Sequence, residues 1–339
     1  MTFGTAVWSS QAWRAVAARW IDHRLADAGI RRIGDVEHPH VRAWATAVRV
    51  PTDHGTYWLK ACGPGTAFEV PLYGVLTDLV PAHVLHPVAA DPDRGWILLP
   101  DGGPLLGDHR SGPALGRALG EAVRQYGRLQ LDLVPGLDRT LAAGVADMRP
   151  TAMLDAFDRA VESTAAAAAD GAGRGTDRAA RHAQVAAARP QVAQWCARLS
   201  GSALPPSLDH NDLHPRNIFW ADGPALFFDW GDAVVAHPFA AMLVPLGLIR
   251  EFLGEGADRH GFVAVRDAYL SLFRDLAPGE DLLATLETAC RVAKIARAHT
   301  WQRAIGAAIE QGDPMGVEFR YAPLDTLCAI LDEDYLTIG

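Results

Sequence analysis

The chain has few cysteines, no excess of basic residues and no uncharged run long enough to cross a bilayer. Its four cysteines, at positions 62, 196, 290 and 328, lie far apart and form no CxxC pair. This pattern predicts free thiols in a reducing compartment and argues against a disulfide framework or a zinc site. The formal net charge of −9 argues against sequence-independent binding of nucleic acid, which needs basic residues to neutralise phosphates. No stretch is apolar enough for a bilayer span or a leader, so we expect a cytoplasmic protein that binds neither nucleic acid nor membrane.

Length and composition indicate the scale of the fold. The chain has 339 residues, of which 49% are hydrophobic and 21% are charged, an ordinary composition for a globular protein. A chain of this length exceeds the size at which a single hydrophobic core stops growing, so two domains or lobes are expected.

One stretch, residues 210–232, concentrates the polar side chains. A polar loop from His210 leads into a short apolar strand, a Gly-Pro turn and a second apolar strand that ends at Asp229. This hairpin is expected to bring Asp212, Asn217 and Asp229 to the same end. Grouped oxygen donors suit Mg²⁺, which also binds a substrate's phosphates, and a further carboxylate can accept the proton of an attacking hydroxyl. The pattern indicates a phosphoryl-transfer site; a simple polar turn explains Asp212 and Asn217 but not their spacing from Asp229.

The same stretch resembles the catalytic and metal-binding loops of the aminoglycoside phosphotransferase (APH) family, small-molecule kinases related to the protein kinases. The shared pattern is His-x-Asp-x-x-x-x-Asn, here His210 to Asn217, followed by a strand that ends in Asp, here Asp229-Trp230-Gly231. The resemblance covers roughly residues 30–310 and implies the kinase-like fold, with ATP or another nucleoside triphosphate and Mg²⁺ as cofactors.

The resemblance also implies a role for each polar residue of the loop. Asp212 takes the position of the catalytic base, and Asn217 and Asp229 take the positions of the Mg²⁺ ligands. His214 stands where protein kinases carry a lysine that contacts the γ-phosphate, so it is assigned to the nucleotide site. The alternative for His214, and for His210, is a structural role in ordering the loop.

The N-terminal part predicts one helix and a small antiparallel sheet. Residues 9–29 carry apolar side chains at three- and four-residue steps, and their tryptophans are interpreted as core. The predicted strands are residues 31–37, 46–50 and 56–60. No G-x-G-x-x-G motif lies between the first two strands, so residues 38–45, including Trp44, are expected to cover the nucleotide.

Lys60 ends the third predicted strand, and Glu69 opens the helix that follows. A lysine at a strand end can place its ammonium against nucleotide phosphates, and a glutamate on the next helix can hold it there, as in the Lys–Glu ion pair of kinases. The alternative is an exposed lysine and a glutamate that is favoured at the helix N-terminus by the macrodipole. Together with the loop at 210–217, the functional interpretation is preferred.

A short segment after residue 95 resembles the hinge between kinase lobes. An apolar strand breaks at Pro100 into a segment rich in glycine and proline, and the adenine is expected to bond to backbone groups near Leu98 and Leu99, because Pro100 has no N–H to donate. The chain beyond this point is predicted to be mostly helical. The predicted helices are residues 113–129, 152–169, 178–200, 239–253, 261–276, 281–311 and 323–333.

The predicted fold class is therefore α+β, a protein-kinase-like fold of two lobes. Residues 1–100 are expected to form a small antiparallel β N-lobe that binds the nucleotide. Residues 101–339 are expected to form a large, mostly helical C-lobe with the catalytic loop and the helices that bind the acceptor.

The predicted function is transfer of the γ-phosphate of ATP to a hydroxyl of a small molecule. One alternative is a nucleotide-binding pseudokinase with a regulatory role. A second is a metal-dependent hydrolase that uses His210, Asp212 and His214 as ligands, although that reaction leaves Lys60 and Glu69 unexplained.

The acceptor is expected to be a hydroxylated small molecule: an aminoglycoside-like antibiotic, a macrolide, a sugar, an amino alcohol or another metabolite. Acidic residues in the C-terminal part are candidates for binding a cationic acceptor, although such clusters are more often solvated helix faces. These candidates are Glu251, Glu255 and Asp258, and the tail residues Asp332, Glu333 and Asp334.

Overall fold

The computed structural model describes residues 3–170, 175–249 and 259–338. The strands are β1 (Glu37–Val41), β2 (Ala45–Thr52), β3 (Gly55–Cys62), β4 (Ala89–Asp91), β5 (Trp96–Pro100), β6 (Ala146–Asp147), β7 (Ser207–Asp209), β8 (Ile218–Phe219), β9 (Leu226–Phe227) and β10 (Val234–Ala236). The α-helices are α1 (Thr5–Trp8), α2 (Gln11–Asp27), α3 (Glu69–Leu79), α4 (Leu106–His109), α5 (Gly112–Leu133), α6 (Leu137–Ala142), α7 (Pro150–Ala169), α8 (Gly175–Ala187), α9 (Arg189–Ser200), α10 (Leu243–Gly247), α11 (Arg259–Leu270), α12 (Leu282–Glu310), α13 (Pro314–Glu318) and α14 (Ala322–Cys328).

A five-stranded antiparallel sheet occupies the first hundred residues, in the order β1-β2-β3-β5-β4. The strands predicted around 46–50 and 56–60 are present as β2 and β3. The strand predicted at 31–37 is wrong, because β1 begins only at Glu37 and Arg32 makes a single bridge to Thr52. The Arg32 guanidinium is instead bound to Asp22 of α2, with Nε 2.7 Å from the carboxylate, which ties this segment to the helix.

Helix α2 packs against one face of the sheet, as its apolar periodicity predicts. Ser10 caps the helix through the backbone N–H of Trp13. Trp20 and Ile21 are buried in a cluster with Val48 and Leu98 of the sheet. The tryptophans of this helix are therefore packing residues, as the sequence indicates.

The helical part encloses a second and larger core. Helices α5, α7 and α12 contribute to it, and so do the three-stranded sheet β6-β10-β7 and the hairpin β8-β9. The single helix predicted at 178–200 is wrong, because α8 ends at Ala187 and α9 begins at Arg189. Pro190 stands at the start of α9, where its missing N–H and fixed φ suit a helix beginning and not a helix interior.

The longest element is α12, whose 29 residues run beside the loop that follows β7. Among residues 3–170, 175–249 and 259–338, no helix is both long and apolar enough to cross a bilayer.

Candidate active site

The loop after β7 brings together two of the predicted site residues, Asp212 and Asn217. The Asn217 side-chain N–H donates to the Asp212 backbone carbonyl at 2.9 Å and to its carboxylate at 3.2 Å. The backbone carbonyl of Asn217 accepts the N–H of Phe228 at 3.3 Å. This bond joins the loop to the residue that precedes Asp229. The hairpin therefore assembles the loop and Asp229 at one end, as its sequence predicts.

Asp212 is bound by side chains from two directions. Its Oδ2 faces the side chains of Asn217 and His214, with His214 Nε2 at 3.4 Å. Its Oδ1 accepts from Arg297 Nη2 at 3.2 Å. Burial of the carboxylate opposes its ionisation, but His214 and Arg297 outweigh burial and hold the pKa of Asp212 well below its ordinary value. Asp212 is consequently ionised at neutral pH.

Lys60 of β3 bridges two carboxylates. Its ammonium donates to Glu69 of α3 and, at 2.5 Å, to Asp229. Register places Lys60 opposite Ile97 in the sheet, and Glu69 is fully buried. Burial opposes the charge of the ammonium, but Asp229 and Glu69 outweigh burial and raise the pKa of Lys60 well above its ordinary value.

The pKa values of the two carboxylates that contact Lys60 are shifted in opposite directions. Burial is the largest influence on Glu69 and, reinforced by the charge of Asp229, raises its pKa although Lys60 acts against the rise. Burial would also raise the pKa of Asp229, but the ion pair with Lys60 outweighs it and lowers the pKa. The cluster therefore combines an ammonium with a firmly ionised Asp229 at the opening of the site.

Two polar residues of the site have left-handed backbones. Asn211 has φ 60° and Asp229 has φ 64°, a conformation that costs a non-glycine residue of the order of 1 kcal/mol. Asn211 is held by its N–H to Asp209 Oδ1 at 2.7 Å and by its side-chain N–H to Thr300 Oγ1 at 3.0 Å. Such a backbone persists only where its surroundings determine it, and it is typical of functional loops.

The two histidines of the loop differ in their surroundings. His210 is buried; its Nε2 lies 2.9 Å from the Phe228 carbonyl and its ring lies 4.6 Å from that of Trp230. His214 accepts the backbone N–H of Arg216 through Nδ1 at 3.1 Å. His210 is thus occupied in ordering the loop. Within the described residues, no three His, Cys, Asp or Glu side chains are grouped to hold a metal.

The hinge segment is more tightly paired than the sequence predicts. Leu98 of β5 is opposite Leu59 of β3, and the Leu98 carbonyl accepts the N–H of Val88 at 2.8 Å. Leu99 is opposite Trp58. The carbonyl of Leu98 is therefore engaged within the sheet and not directed at a ligand.

Beyond the hinge, the backbone passes over an aromatic pair. Phe219 and Phe228 stack with ring centroids 4.4 Å apart, and a Cβ on Gly102 would overlap the Phe219 ring. Gly102 also makes no hydrogen bond through its N–H among the described residues. A glycine at this position permits the close approach of backbone and ring.

The segment expected to cover the nucleotide is fastened to the C-terminal part. The Trp44 ring lies edge-on to Trp301 of α12 and to Phe319, with centroids 6.2 Å and 6.0 Å apart. The N–H of Ala43 points to Met315 Sδ at 3.4 Å. The turn between β1 and β2 therefore packs on α12 and α13.

The sequence profile of the phosphotransferase enzyme family (APH) matches residues 41–244, more than half of the chain. The chain belongs to this phosphotransferase family. The matched region includes every predicted site residue, from Lys60 to Asp229. None of the curated proteins compared with the chain matches it significantly.

Solved structures similar to this phosphotransferase confirm the fold. A macrolide 2′-phosphotransferase from Brachybacterium faecium has 17% identity and a TM-score of 0.56, covering 90% of this chain and 98% of that chain. A spectinomycin phosphotransferase in complex with ADP and spectinomycin has 15% identity and a TM-score of 0.52, covering 94% and 96%. A choline kinase from Streptococcus pneumoniae has 12% identity and a TM-score of 0.56, covering 93% and 99%.

These findings confirm three predictions at the level of family and fold. The resemblance to the APH family, the kinase-like α+β fold and the enzyme class, a small-molecule kinase with an alcohol group as acceptor, are all correct. The roles assigned to Lys60, Glu69, Leu98, Leu99, His214, Asp212, Asn217 and Asp229 stay predictions.

Sequence reasoning missed the part of the phosphotransferase site that comes from α12. Arg297 contacts Asp212 although it lies 85 residues away in the chain, and Arg303 lies near Asp232. Burial, reinforced by Asp212, raises the pKa of Asp232 to about 7. The available signal is a pair of arginines within a helix whose neighbouring positions are buried and apolar, such as Ala296 and Ala298.

Of the two acidic clusters considered for a cationic acceptor, the structure describes only the one in the tail. Glu251, Glu255 and Asp258 lie outside the described residues. Asp332 pairs with Arg181 at 2.9 Å, and its backbone carbonyl accepts from Arg291 at 2.7 Å. The tail is thereby bound to α8 and α12.

Proposed function

We propose that this phosphotransferase moves the γ-phosphate of ATP to a hydroxyl group of a small molecule, with Mg²⁺ as the metal cofactor. The observation that carries the proposal is the Lys60 ammonium held between Glu69 and Asp229, with the ionised Asp212 on the adjoining loop. This arrangement supplies a cation for phosphates, an ionised metal ligand and a base, which are the parts that phosphoryl transfer requires.

Lys60 and Glu69 form the phosphate end of the nucleotide site. The Lys60 ammonium is directed at the α- and β-phosphates, and Glu69 keeps it in place because its own carboxylate is fixed by the backbone N–H of Trp230 at 3.0 Å. His214, which is tied to the loop through Arg216, is assigned to the γ-phosphate side of the site.

The donor set at the hairpin fits a hard divalent cation. Asp229 is firmly ionised, and Asn217 Oδ1 accepts no hydrogen bond among the described residues. One or two such oxygens, completed by phosphates and water, are the usual ligands of Mg²⁺ in kinases. When bound there, Mg²⁺ would neutralise negative charge on the phosphate oxygens.

The adenine is placed beside the end of β5. Leu98 and Leu99 belong to the strand that leads into this site, and the Leu98 carbonyl already accepts the N–H of Val88. The proposed backbone donor to the purine is the N–H of Gly102, which makes no hydrogen bond among the described residues. The stacked ring of Phe219 beneath Gly102 offers an apolar floor for a flat heterocycle.

Asp212 acts on the acceptor. Its ionised carboxylate accepts a hydrogen bond from the acceptor hydroxyl and orients the oxygen toward the γ-phosphorus. The hydroxyl oxygen forms a bond to phosphorus as the bond from phosphorus to the β,γ-bridging oxygen breaks, and ADP leaves. The hydroxyl proton passes to Asp212, which its low pKa makes a weak base, so the proton moves late in the reaction.

We assign these parts to two lobes, with residues 1–100 as the nucleotide-binding lobe and residues 101–339 as the lobe that carries the catalytic loop and the acceptor helices. The acceptor site is placed between Asp212 and the helices that follow β10. The reaction is placed in the cytoplasm, which supplies ATP and keeps the four buried, unpaired cysteine thiols reduced.

The named solved structures support a hydroxylated small molecule as acceptor, since they include enzymes for a macrolide, for spectinomycin and for choline. The test is an ATP-consumption screen over aminoglycosides, macrolides, sugars and amino alcohols, with the product mass measured. A product heavier by one phosphoryl group, formed by the wild type and not by Asp212→Asn, supports the proposal. Nucleotide binding without a product favours the pseudokinase, and a zinc- or manganese-dependent activity without ATP favours the hydrolase.

A further inference from the structure

Helix α12 approaches the catalytic loop with two side chains three residues apart, Arg297 and Thr300, which lie on the same face of a helix. Arg297 Nη1 donates to the backbone carbonyl of Asn211 at 2.5 Å, and Nη2 donates to Asp212 Oδ1 at 3.2 Å. Thr300 Oγ1 accepts from the Asn211 side chain at 3.0 Å. The helix thus contacts both the backbone and the side chains of this dipeptide.

The left-handed backbone of Asn211 sets the direction in which the next residue points. Its N–H is bound to Asp209, its carbonyl to Arg297, and its side chain to Thr300 and to the Asp232 carbonyl at 3.2 Å. Four hydrogen bonds therefore hold this conformation. Of these partners, only Arg297 also contacts the carboxylate of Asp212.

The two oxygens of Asp212 are held on opposite sides. Oδ1 faces Arg297, whereas Oδ2 faces Asn217 and His214. A carboxylate held from both sides loses its rotational freedom, and Oδ1, which accepts from Arg297, keeps a second lone pair for a further donor. An acceptor hydroxyl therefore meets a carboxylate of fixed orientation.

Packing alone does not account for the guanidinium. The Arg297 side chain is 12% exposed, and its Nε is buried without a hydrogen-bond partner in the part of the chain that the structure describes. Burying a cation with one donor unsatisfied is costly. The planar fork of arginine spans the Asn211 carbonyl and the Asp212 carboxylate at once, whereas the single ammonium of a lysine is a point charge.

We propose that Arg297 is a positioning residue of the phosphotransferase reaction: its guanidinium fixes the Asn211–Asp212 peptide and the orientation of the Asp212 carboxylate toward the acceptor hydroxyl. The inference rests on the proposed function of Asp212 as the base. It extends the active site to a helix 85 residues beyond the catalytic loop, in a region outside the matched family profile.

The experiment compares Arg297→Gln and Arg297→Lys with the wild type, using an acceptor identified in the screen. We expect kcat to fall about 100-fold in Arg297→Gln, because misplacement of a reacting group by about 1 Å has that effect. The dissociation constant for ATP should stay within about twofold, since Lys60, Glu69 and Asp229 are untouched. Arg297→Lys should recover only a small part of kcat, because it replaces one of the two contacts.

The matched control is Arg291→Gln on the same helix. Arg291 is similarly buried, at 14% exposed, and it donates to the backbone carbonyls of Asp332 and Glu333, away from the loop. Its loss should reduce stability and leave kcat unchanged. Millimolar guanidinium should also restore part of kcat in Arg297→Ala and not in Asp212→Asn. A kcat of Arg297→Gln within about threefold of wild type, or a parallel loss of ATP affinity and kcat, overturns the proposal.

Hydrogen exchange separates this inference from the proposed function. If the wild type phosphorylates nothing, the proposed function fails. The hold of Arg297 on the Asn211–Asp212 peptide, here called the clamp, is still measurable through the amides of residues 209–217. Faster exchange there in Arg297→Gln, with wild-type exchange in Arg291→Gln, supports the clamp. Unchanged exchange in both variants overturns it.

Discussion

The Glu69 carboxylate accepts the backbone N–H of Trp230 at 3.0 Å through one oxygen and the Lys60 ammonium through the other. Helix α3 is thereby connected both to the strand that carries the lysine and to the residue after Asp229. The glutamate positions Lys60 and Asp229 together, and not the lysine alone.

Glu69→Gln is expected to weaken nucleotide use with little loss of structure. The glutamine carbonyl still accepts the Trp230 N–H, but its neutral amide no longer attracts the ammonium, so Lys60 is drawn further toward Asp229. We expect the KM for ATP to rise about tenfold. Steady-state kinetics checks this, with Glu121→Gln as the control, because Glu121 pairs with Arg124 on α5. An unchanged KM removes Glu69 from the nucleotide site.

Lys60→Met is expected to reduce both ATP affinity and stability. Removal of the ammonium leaves Glu69 and Asp229 as unpaired neighbouring carboxylates, at a cost of about 3 kcal/mol in the free energy of unfolding at neutral pH. The pKa of Glu69 is already raised by burial. When a carboxyl has a raised pKa in the folded state, the protein loses stability as the pH rises from the unfolded pKa toward the folded one.

Part of the lost stability of Lys60→Met should therefore return as the pH falls toward about 5. Urea unfolding at neutral and at mildly acidic pH measures the difference between variant and wild type. A deficit that does not depend on pH would mean that the carboxylates are not the cause.

Asn217→Ala and Asp229→Ala test the metal assignment. Asp229→Ala should abolish transfer, and Asn217→Ala should raise the Mg²⁺ concentration for half-maximal activity about tenfold, because it removes one of two hard oxygen donors. Asp222→Gly serves as the control. It changes the turn of the same hairpin at a residue with φ 59°, where glycine is well tolerated. Equal Mg²⁺ dependence of Asn217→Ala and wild type would contradict the assignment.

Asp212→Asn is expected to lower kcat by about 10²- to 10⁴-fold, the usual contribution of a general base. Asparagine keeps the shape and the hydrogen bond from Arg297 but cannot accept the proton. ATP affinity should change little, which nucleotide titration measures on the same preparation. Loss of ATP binding together with activity would identify Asp212 as a metal ligand or a structural acid.

Lys294→Met is expected to stabilise the protein. Lys294 is fully buried in α12 and donates to the Ala329 carbonyl at 2.8 Å, which also accepts the N–H of Asp332. Burial lowers the pKa of Lys294 to about 8. Replacing a buried charge by an apolar side chain of similar size should raise the unfolding free energy at neutral pH by about 1 to 3 kcal/mol.

The pH dependence gives the same prediction a second measurement. From about pH 8 up to the ordinary lysine pKa near 10.4, the unfolded chain holds a proton that the folded chain has lost. Wild-type stability should therefore rise across this range, and Lys294→Met should not follow it. If the unfolding free energies of the wild type and of Lys294→Met changed with pH in parallel, the rise could not be assigned to Lys294.

The sequence predicts those parts of the site that depend on local spacing. Asp212, Asn217 and Asp229 come from one hairpin, and Lys60 follows three apolar or aromatic residues of one strand, so short-range patterns suffice to propose them. Arg297 enters from a helix 85 residues away, and its periodicity reveals packing alone. The engagement of Leu98 with Val88 depends on strand pairing, which no local pattern specifies.

The errors in the fold have different causes. In place of the strand predicted at 31–37, Arg32 binds Asp22 of α2. The helix predicted at 178–200 keeps its apolar period across the break near Ala188. The strand is displaced by a contact to a residue outside the segment, whereas the helix is interrupted at Pro190 within it, where the missing N–H and fixed φ begin a new helix.

Lys60 and Lys294 are the two lysines of the chain, and the first is 17% exposed while the second is fully buried. Amine-reactive acylating reagents therefore find, apart from any terminal amine, almost nothing to modify on this protein. A covalent label on the peptide that contains Lys60 would report directly when its ammonium leaves Asp229, so a single mass-spectrometric signal can follow occupancy of the site without an assay for the acceptor.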